Sequence, residues 1–490
     1  MENSQTIQKK MTNFRWVICA MLFLATTVNY MDRQVLSLTW KDFISPEFHW
    51  SDTDYGNITA MFSLVYAIAN IFAGRFIDFL GTKKGYLWAI GIWSLGACLH
   101  AACGWATQST LGISDTAEMI GATGQVASLI AMTSVYFFIA ARIILAVGEA
   151  GNFPSAVKVT AEYFPQKDRA YSTSIFNAGS TVGALFAPVC IPALASYFRS
   201  IGVGNGWEMA FIIIGGLGFI WMGFWVFIYK DVRKNPHVNS LELAYILQDS
   251  ENKETEQKPE KEETPEEPKL TIWQILSTRQ AWSIFLGKFT TDGVWWFILF
   301  WTPAFLSDVY GYTSDSTEGA WLIFMLYMIT LLSIFGGKLP TWIIRRTGWD
   351  PYKSRMRAML AFAVFPLVGL MAQPLGVVSC VLTVLLIGIM GAAHQSWSAN
   401  FYSVGSDLFP RSAVATITGL GGLAGGLSSF LINKFSGMLF DYADATQMQV
   451  FGFTGKEAGY YIVFMYCSVA YLIGWILMKS LVPKYKKVTI

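Results

Sequence analysis

Charge is scarce in this chain. Only 14% of its 490 residues are Asp, Glu, Lys or Arg, against about 25% in a soluble globular domain. The shortage runs the whole length, so a water-exposed globule is excluded. The 35 basic and 33 acidic residues leave a net charge of +2, which gives no basic footprint for nucleic acid. Histidine is rare, with 4 in the chain. The cysteines (Cys19, Cys98, Cys103, Cys190, Cys380 and Cys467) lie in or beside apolar runs with no CxxC pair, so a secreted disulfide framework is not expected. There is no metal-ligand cluster, nucleophile motif or phosphate-cradling loop in the sequence. The expectation is a protein that is not an enzyme, with no cofactor and no metal.

What fills the chain is apolar: 53% of residues are hydrophobic and the mean hydropathy is +0.42. A helix needs about 20 such residues to cross about 30 Å of hydrocarbon. Stretches of that length recur twelve times, near 15–40, 56–80, 86–107, 128–157, 170–198 and 207–230, then 279–308, 318–341, 355–374, 377–408, 412–440 and 458–482. The first follows Lys9, Lys10 and Arg15, as a signal peptide would, but it continues through Asp32-Arg33 without a small-residue cleavage site. It reads as a retained helix. The fold class is therefore an all-α, multi-pass membrane protein of twelve helices, with the lipid bilayer as its solvent.

Loop charge suggests an orientation. Lys and Arg gather in 75–86, 158–169 and 338–357, while the alternate loops carry acids such as Asp42, Glu47, Asp52, Asp54, Asp115 and Glu118. The positive-inside rule then places both termini in the cytoplasm. Residues 249–269 hold nine acids, four lysines and three prolines but no aromatic residue, a composition that reads as a disordered linker. It separates six spans from six, giving expected domains of 1–230, 231–278 and 279–490. A repeated detail suggests duplication. Phe164-Pro165 and Phe409-Pro410 each precede a small-residue helix, marked by Gly179 and Gly183 in one half and by Gly419, Gly421, Gly422, Gly425 and Gly426 in the other. Small residues let helix backbones approach closely in lipid.

Against this background the ionisable residues inside the apolar runs stand out: Asp32, Arg33, Arg142 and Glu149. A charge at a helix centre costs roughly 2.5–3.5 kcal/mol on insertion scales, so such residues normally face a partner, a cavity or a substrate. Arg142 and Glu149 are seven residues apart, two helical turns and about 10 Å along one face. A guanidinium can fork two N–H donors onto a carboxylate, which makes Arg33 and Arg142 candidate clamps for an acid. A carboxyl group out of water is harder to ionise and can take up and release a proton; Asp32 and Glu149 are the candidates. The plainer alternative is an ion-pair network that only holds the first and fourth helices together. Asp32 and Arg33, adjacent in sequence, point about 100° apart and cannot satisfy one another.

Between spans two and three stands Gly74-Arg75-Phe76-Ile77-Asp78-Phe79-Leu80-Gly81-Thr82-Lys83-Lys84, which resembles the signature loop of the major facilitator superfamily. Its Gly74, Asp78, Gly81, Lys83 and Lys84 would form a conformational latch. The matching stretch from Gly337 to Gly348 keeps Arg345-Arg346 but has Thr341 where an acid would fall. Four further passages, Asn29 to Arg33, Gly81 to Tyr86, Gly148 to Pro154 and Trp207 to Ile212, together with Ala393-His394-Gln395, resemble the anion:cation symporter branch, especially bacterial hexuronate and aldonate transporters. The resemblance implies two six-helix bundles with pseudo-two-fold symmetry. It also implies residence in the bacterial inner membrane, a monomeric state, and import of a sugar-acid anion with protons.

It further implies proton-coupling roles for Asp32 and Glu149, and substrate contacts from Arg33, Arg142, Tyr30, Tyr66, Asn177, Lys288, His394, Gln395 and Asn400. Lys288 and Asp292 form an i,i+4 pair that could ion-pair only with each other; hexuronate transporters carry a basic and an acidic residue at this spacing, so the resemblance implies a second-half charge on the ligand from Lys288. Trp295, Trp296 and Trp301 could stack on a sugar face, although 19 Trp and 21 Tyr residues make interfacial anchoring the ordinary use of such rings. Rival readings are a carrier of another organic anion (galactonate, tartrate or sialic acid), an organic-phosphate exchanger, and a transporter-like nutrient sensor.

Overall fold

The structure is a computed structural model that describes residues 10–255, 271–336 and 338–488. Its long helices are α1 (Phe14–Thr39), α2 (Asp52–Leu80), α3 (Thr82–His100), α4 (Gly124–Glu149), α5 (Gln166–Ser200) and α6 (Trp207–Ile228) in the first half. The second half has α7 (Arg279–Tyr310), α8 (Thr317–Thr330), α9 (Pro351–Val364), α10 (Cys380–Leu408), α11 (Arg411–Thr446) and α12 (Lys456–Leu481). Short helices extend α3 (Cys103–Leu111, bent by 52°), α4 (Asn152–Tyr163) and α8 (Leu339–Thr347). The twelve expected stretches are all present, most within a few residues of their expected limits.

Among the described residues eight helices are long and apolar enough to span a bilayer outright, and the bent α3 makes a ninth. The other three fall short for physical reasons. Helix α8 is broken after Thr330, α11 is rich in Gly and Ser, and α7 carries Lys288 and Asp292.

The repeated Phe-Pro corner is structural. Phe164 and Phe409 are extended C-caps of the preceding helices, while Pro165 and Pro410 begin the next at φ/ψ of −63/156° and −64/155°. Proline supplies the fixed φ that a helix start needs and has no N–H to leave unpaired. Glycines set the closest seams. A side chain at Gly179 or Gly183 would collide with the α1 backbone, and one at Gly56 would come within 2.7 Å of the Asn433 carbonyl on α11.

The two ends of the molecule differ. At the end that carries the α1–α2 and α7–α8 connections, the halves are tied together. Lys41 Nζ lies 2.7 Å from Asp308, and Lys456 Nζ lies 2.6 Å from Asp52. Asp441 accepts from the Asp52 and Thr53 backbone N–H groups at the start of α2, and Asp42 accepts from Ser307 and from the Ser314 N–H. Asp52 and Glu47, read from sequence as loop acids, are both 2% exposed. The tie continues inward through Tyr55 Oη to the Phe300 carbonyl and through Ser63 with Ser429. The contact runs one turn further, to Ala67 against Gly426; beyond it Phe72 and Phe79 are exposed, and a side chain at Gly74, Gly419 or Gly422 would meet open space.

At the opposite end a linker helix (Ser240–Thr255) docks on the first half. Buried Glu242 accepts from the Phe14 and Arg15 N–H groups, from Thr12 Oγ1 and from Arg15 Nη1, so it caps the start of α1. This helix runs seven residues into the acidic stretch expected to be disordered. The rest of that stretch, within 256–270, lies outside the described residues, as does Gly337 of the second loop.

Candidate functional site

The four stranded charges of the first half meet where α1 crosses α4. Gly148, beside Glu149, lets α4 pack closely on α3, because any side chain there would strike the Trp93 backbone. Arg33 Nε and Nη2 donate to the same oxygen, Glu149 Oε2, at 2.9 and 2.6 Å. Both side chains are almost fully buried. Around the guanidinium stand four rings, with centroids 4.8 Å (Tyr66), 5.0 Å (Trp296), 5.1 Å (Tyr30) and 5.7 Å (Phe62) from Arg33 Cζ. A desolvated cation–π contact is worth about 2 kcal/mol, so this box helps hold the cation in place beside Glu149. Trp296 comes from α7, so the box is closed by the second half.

Arg142 is different. Its Cζ lies 5.3 Å from the centroid of the same Phe62 ring, and the side chain is buried at 1% exposure. Its Nε and Nη1 have no hydrogen-bond partner. Both Asp32 oxygens, Glu149 Oε1, the Asn29 amide and Trp93 Nε1 are likewise buried and unpartnered. Leaving one buried polar group unsatisfied costs about 1–3 kcal/mol. Asp32 does not bond Arg33, as the geometry of adjacent helical residues requires.

In the second half Lys288 Nζ donates to Asp292 Oδ2 at 2.6 Å, both on α7. Trp295 stacks on His394 with centroids 5.4 Å apart, and His394 Nδ1 pairs with Tyr471 Oη at 2.8 Å. Asn400 is buried but donates to the Ser396 carbonyl of its own helix, and Gln395 is half-buried.

Asn177 lies exposed on α5 and is not brought into the cluster. Trp301 is also elsewhere. It donates to Asn433 Oδ1 and packs edge-on against the stacked Trp40–Tyr55 pair, inside the sealed end. In the signature loop, Gly81 turns the chain at φ 77° and Asp78 pairs with Lys158 at 2.7 Å. Lys83 donates to the Val226 carbonyl, while Lys84 is exposed. Those contacts stay within the first half. Residues that sequence reasoning missed are Asn29, Phe62, Trp93 and Tyr471, together with the charged seal. Phe62 and Trp93 carry no signal among the chain's 36 Phe and 19 Trp, and Lys41 and Lys456 pair with acids of the other half that no local pattern marks.

The sequence pattern described as Major Facilitator Superfamily matches residues 22–433 of 490. The chain belongs to the major facilitator superfamily. As a member it is a multi-pass membrane transporter and not an enzyme. The chain is 29% identical over 438 residues to the hexuronate transporter of Escherichia coli K12, covering 88% of this chain and 89% of that one. It is 26% identical over 332 residues to the galacturonate transporter of Dickeya chrysanthemi, covering 68% and 83%. Over 481 residues it is 24% identical to the D-galactonate transporter of Escherichia coli O6:H1, covering 97% of each.

Solved superfamily structures share the fold. A D-xylose–proton symporter superposes with TM-score 0.69 at 13% identity, covering 98% of this chain and 100% of that one. A bacterial homologue of the human lysosomal transporter Spinster, inward-facing and unoccupied, gives TM-score 0.67 at 18% identity, covering 95% and 97%.

Proposed function

We propose that this transporter is a proton-coupled symporter that imports a small sugar acid, with a hexuronate (galacturonate or glucuronate) the leading substrate. The observation that carries the reading is the pair of buried guanidiniums that share the Phe62 ring, one held by Glu149 and the other with free donors. Arg142 meets the incoming carboxylate first. A proton taken by Glu149 or Asp32 then weakens the hold on Arg33 and lets it turn to the same anion. Tyr30, Tyr66 and Trp296 offer rings to the apolar face of the sugar, while Lys288, His394, Gln395 and Asn400 approach its hydroxyls from the second half. The names of the relatives support a sugar acid, and their range keeps galactonate and the sugar diacids as alternatives. An organic-phosphate exchanger would also use arginines, but it has no need of the carboxylates gathered here.

The moving parts are residues 1–230 and 279–490, rocking about the site with 231–278 as the connection. With both termini in the cytoplasm of a bacterial cell and the chain in its inner membrane, the sealed end faces outward. The structure is then the inward-facing state. Each net positive charge moved inward gains about 2.3 kcal/mol per 100 mV. The test is uptake of labelled galacturonate by proteoliposomes under an imposed pH gradient. Uptake that collapses when a protonophore is added is expected; uptake that continues unchanged removes the proton from the account.

A further inference from the structure

The first-half site has a counterpart in the second half. On α7 a cation, Lys288, is held at 2.6 Å by a carboxylate, Asp292, whose other oxygen is buried without a partner. This repeats the arrangement of Arg33 with Glu149, where one oxygen binds the cation and the other is unpartnered. The pair has a prepared seat. A side chain at Gly425 on α11 would strike the Asp292 carboxylate, so glycine there keeps the space, while Gly421 one turn away packs beside the Lys288 stem. The other titratable groups facing Asp292 are His394 on α10 and Tyr471 on α12. Those two are bonded to each other, and Tyr471 Oη lies 3.3 Å from the Thr291 carbonyl. Consecutive tryptophans join the two halves of the site: Trp296 faces Arg33 and Trp295 stacks on His394.

The charges balance. Asp32, Glu149 and Asp292 oppose Arg33, Arg142 and Lys288, three against three, so the ionised site is neutral before substrate arrives. A monoanion makes it −1, and one bound proton restores neutrality. A dianion needs two. Each carboxylate that takes a proton frees the cation it held.

We propose that Asp292 is a second proton-accepting group of the transport cycle, and that its protonation releases Lys288 to bind the end of the sugar acid remote from the arginines, either a hydroxyl or a second carboxylate. The step is a simple transfer. A proton from the side of higher proton activity adds to the Asp292 carboxylate, the ion pair opens, and the Lys288 ammonium keeps its own protons. Return of that proton on the other side re-forms the pair and ejects the ligand. This inference rests on the sugar-acid symport proposed above. It adds that the second pair decides how many protons accompany each substrate and how well a sugar diacid competes with a monoacid.

The experiment uses the full chain in proteoliposomes containing a pH-sensitive dye, with labelled galacturonate and its diacid, galactarate, as probes. Wild type must first take up a probe with protons; if it takes up neither, the functional reading fails before Asp292 is at issue. In Asp292→Asn, which keeps the shape but cannot take a proton, the ratio of protons to substrate is expected to fall by one. Uptake of galactarate relative to galacturonate should rise about tenfold, because Lys288 is permanently released. Asp292→Glu should restore the wild-type ratio. If Asp292→Asn does not fold, Asp292→Ser is measured, which also removes one negative charge and leaves Lys288 in place, with the same loss of one proton expected. An unchanged proton-to-substrate ratio in whichever variant folds overturns the proposal.

Discussion

The sealed end offers a perturbation whose size can be worked from geometry. Asp308 is contacted by Lys41 at 2.7 Å and Lys456 at 3.7 Å, and Asp52 by the same lysines at 3.7 and 2.6 Å. Two cations and two anions thus alternate across the boundary between halves. Neither Asp52 oxygen has a hydrogen bond of good geometry, so the attraction there is mainly Coulombic. Removing one partner of a fully buried pair costs about 3–5 kcal/mol. The lysine side chains are about one-fifth exposed (21% and 22%), so solvent screening cuts this to roughly 2 kcal/mol.

Asp308→Asn keeps the shape and the acceptor for Tyr460 Oη, which lies 3.0 Å away, while removing the charge. At 1.4 kcal/mol per tenfold, the ratio of sealed to open forms should fall about thirtyfold. Spin labels at exposed Ser114 and Tyr312, one in each half, would report this by electron–electron double resonance as a growing population at longer distance. If both Asp308→Asn and Lys41→Gln leave the distance distribution as in wild type, the charged square is not what holds that end shut.

Other consequences are as direct. Glu149→Gln should retain exchange of labelled for unlabelled sugar acid across proteoliposomes yet lose net uptake, and equal loss of both would contradict a coupling role. Gly148→Ala would drive a methyl group into the Trp93 backbone; overpacking of this kind costs about 1–3 kcal/mol, visible as a lower thermal midpoint, and an unchanged midpoint would mean the seam is loose. Glu242→Ala removes a buried carboxylate that four donors at the start of α1 share. With charged hydrogen bonds worth about 1.5–3 kcal/mol each, faster amide exchange over residues 12–18 is expected, and protection equal to wild type would show that the linker helix does not hold α1.

Much of the fold was legible because lipid allows so few solutions. Twelve apolar runs of spanning length, loop punctuation and one acidic break lead to twelve helices in two halves, and the Phe-Pro corners and glycine seams came out as short motifs that packing explains. The stranded charges were legible for the same reason: Arg33 and Glu149 cost too much to place idly. What stayed hidden depends on distance in space. Nothing in a local pattern pairs Lys41 with Asp308, or Phe62 with two guanidiniums from different helices. Asn177 and Trp301 show the opposite limit, since position along a helix does not fix which face a neighbouring helix covers. The burial of Asp52 at the sealed end was not legible either, because its partner Lys456 arrives from the other half.

The central claim is that buried cations hold an acidic sugar. The most direct measurement is the affinity of purified protein for galacturonate by titration calorimetry, compared among wild type, Arg33→Gln and Arg142→Gln. Losing a buried charged contact costs about 2–5 kcal/mol, so each variant should bind at least about thirtyfold more weakly while remaining folded. Wild-type affinity in both variants would contradict the account.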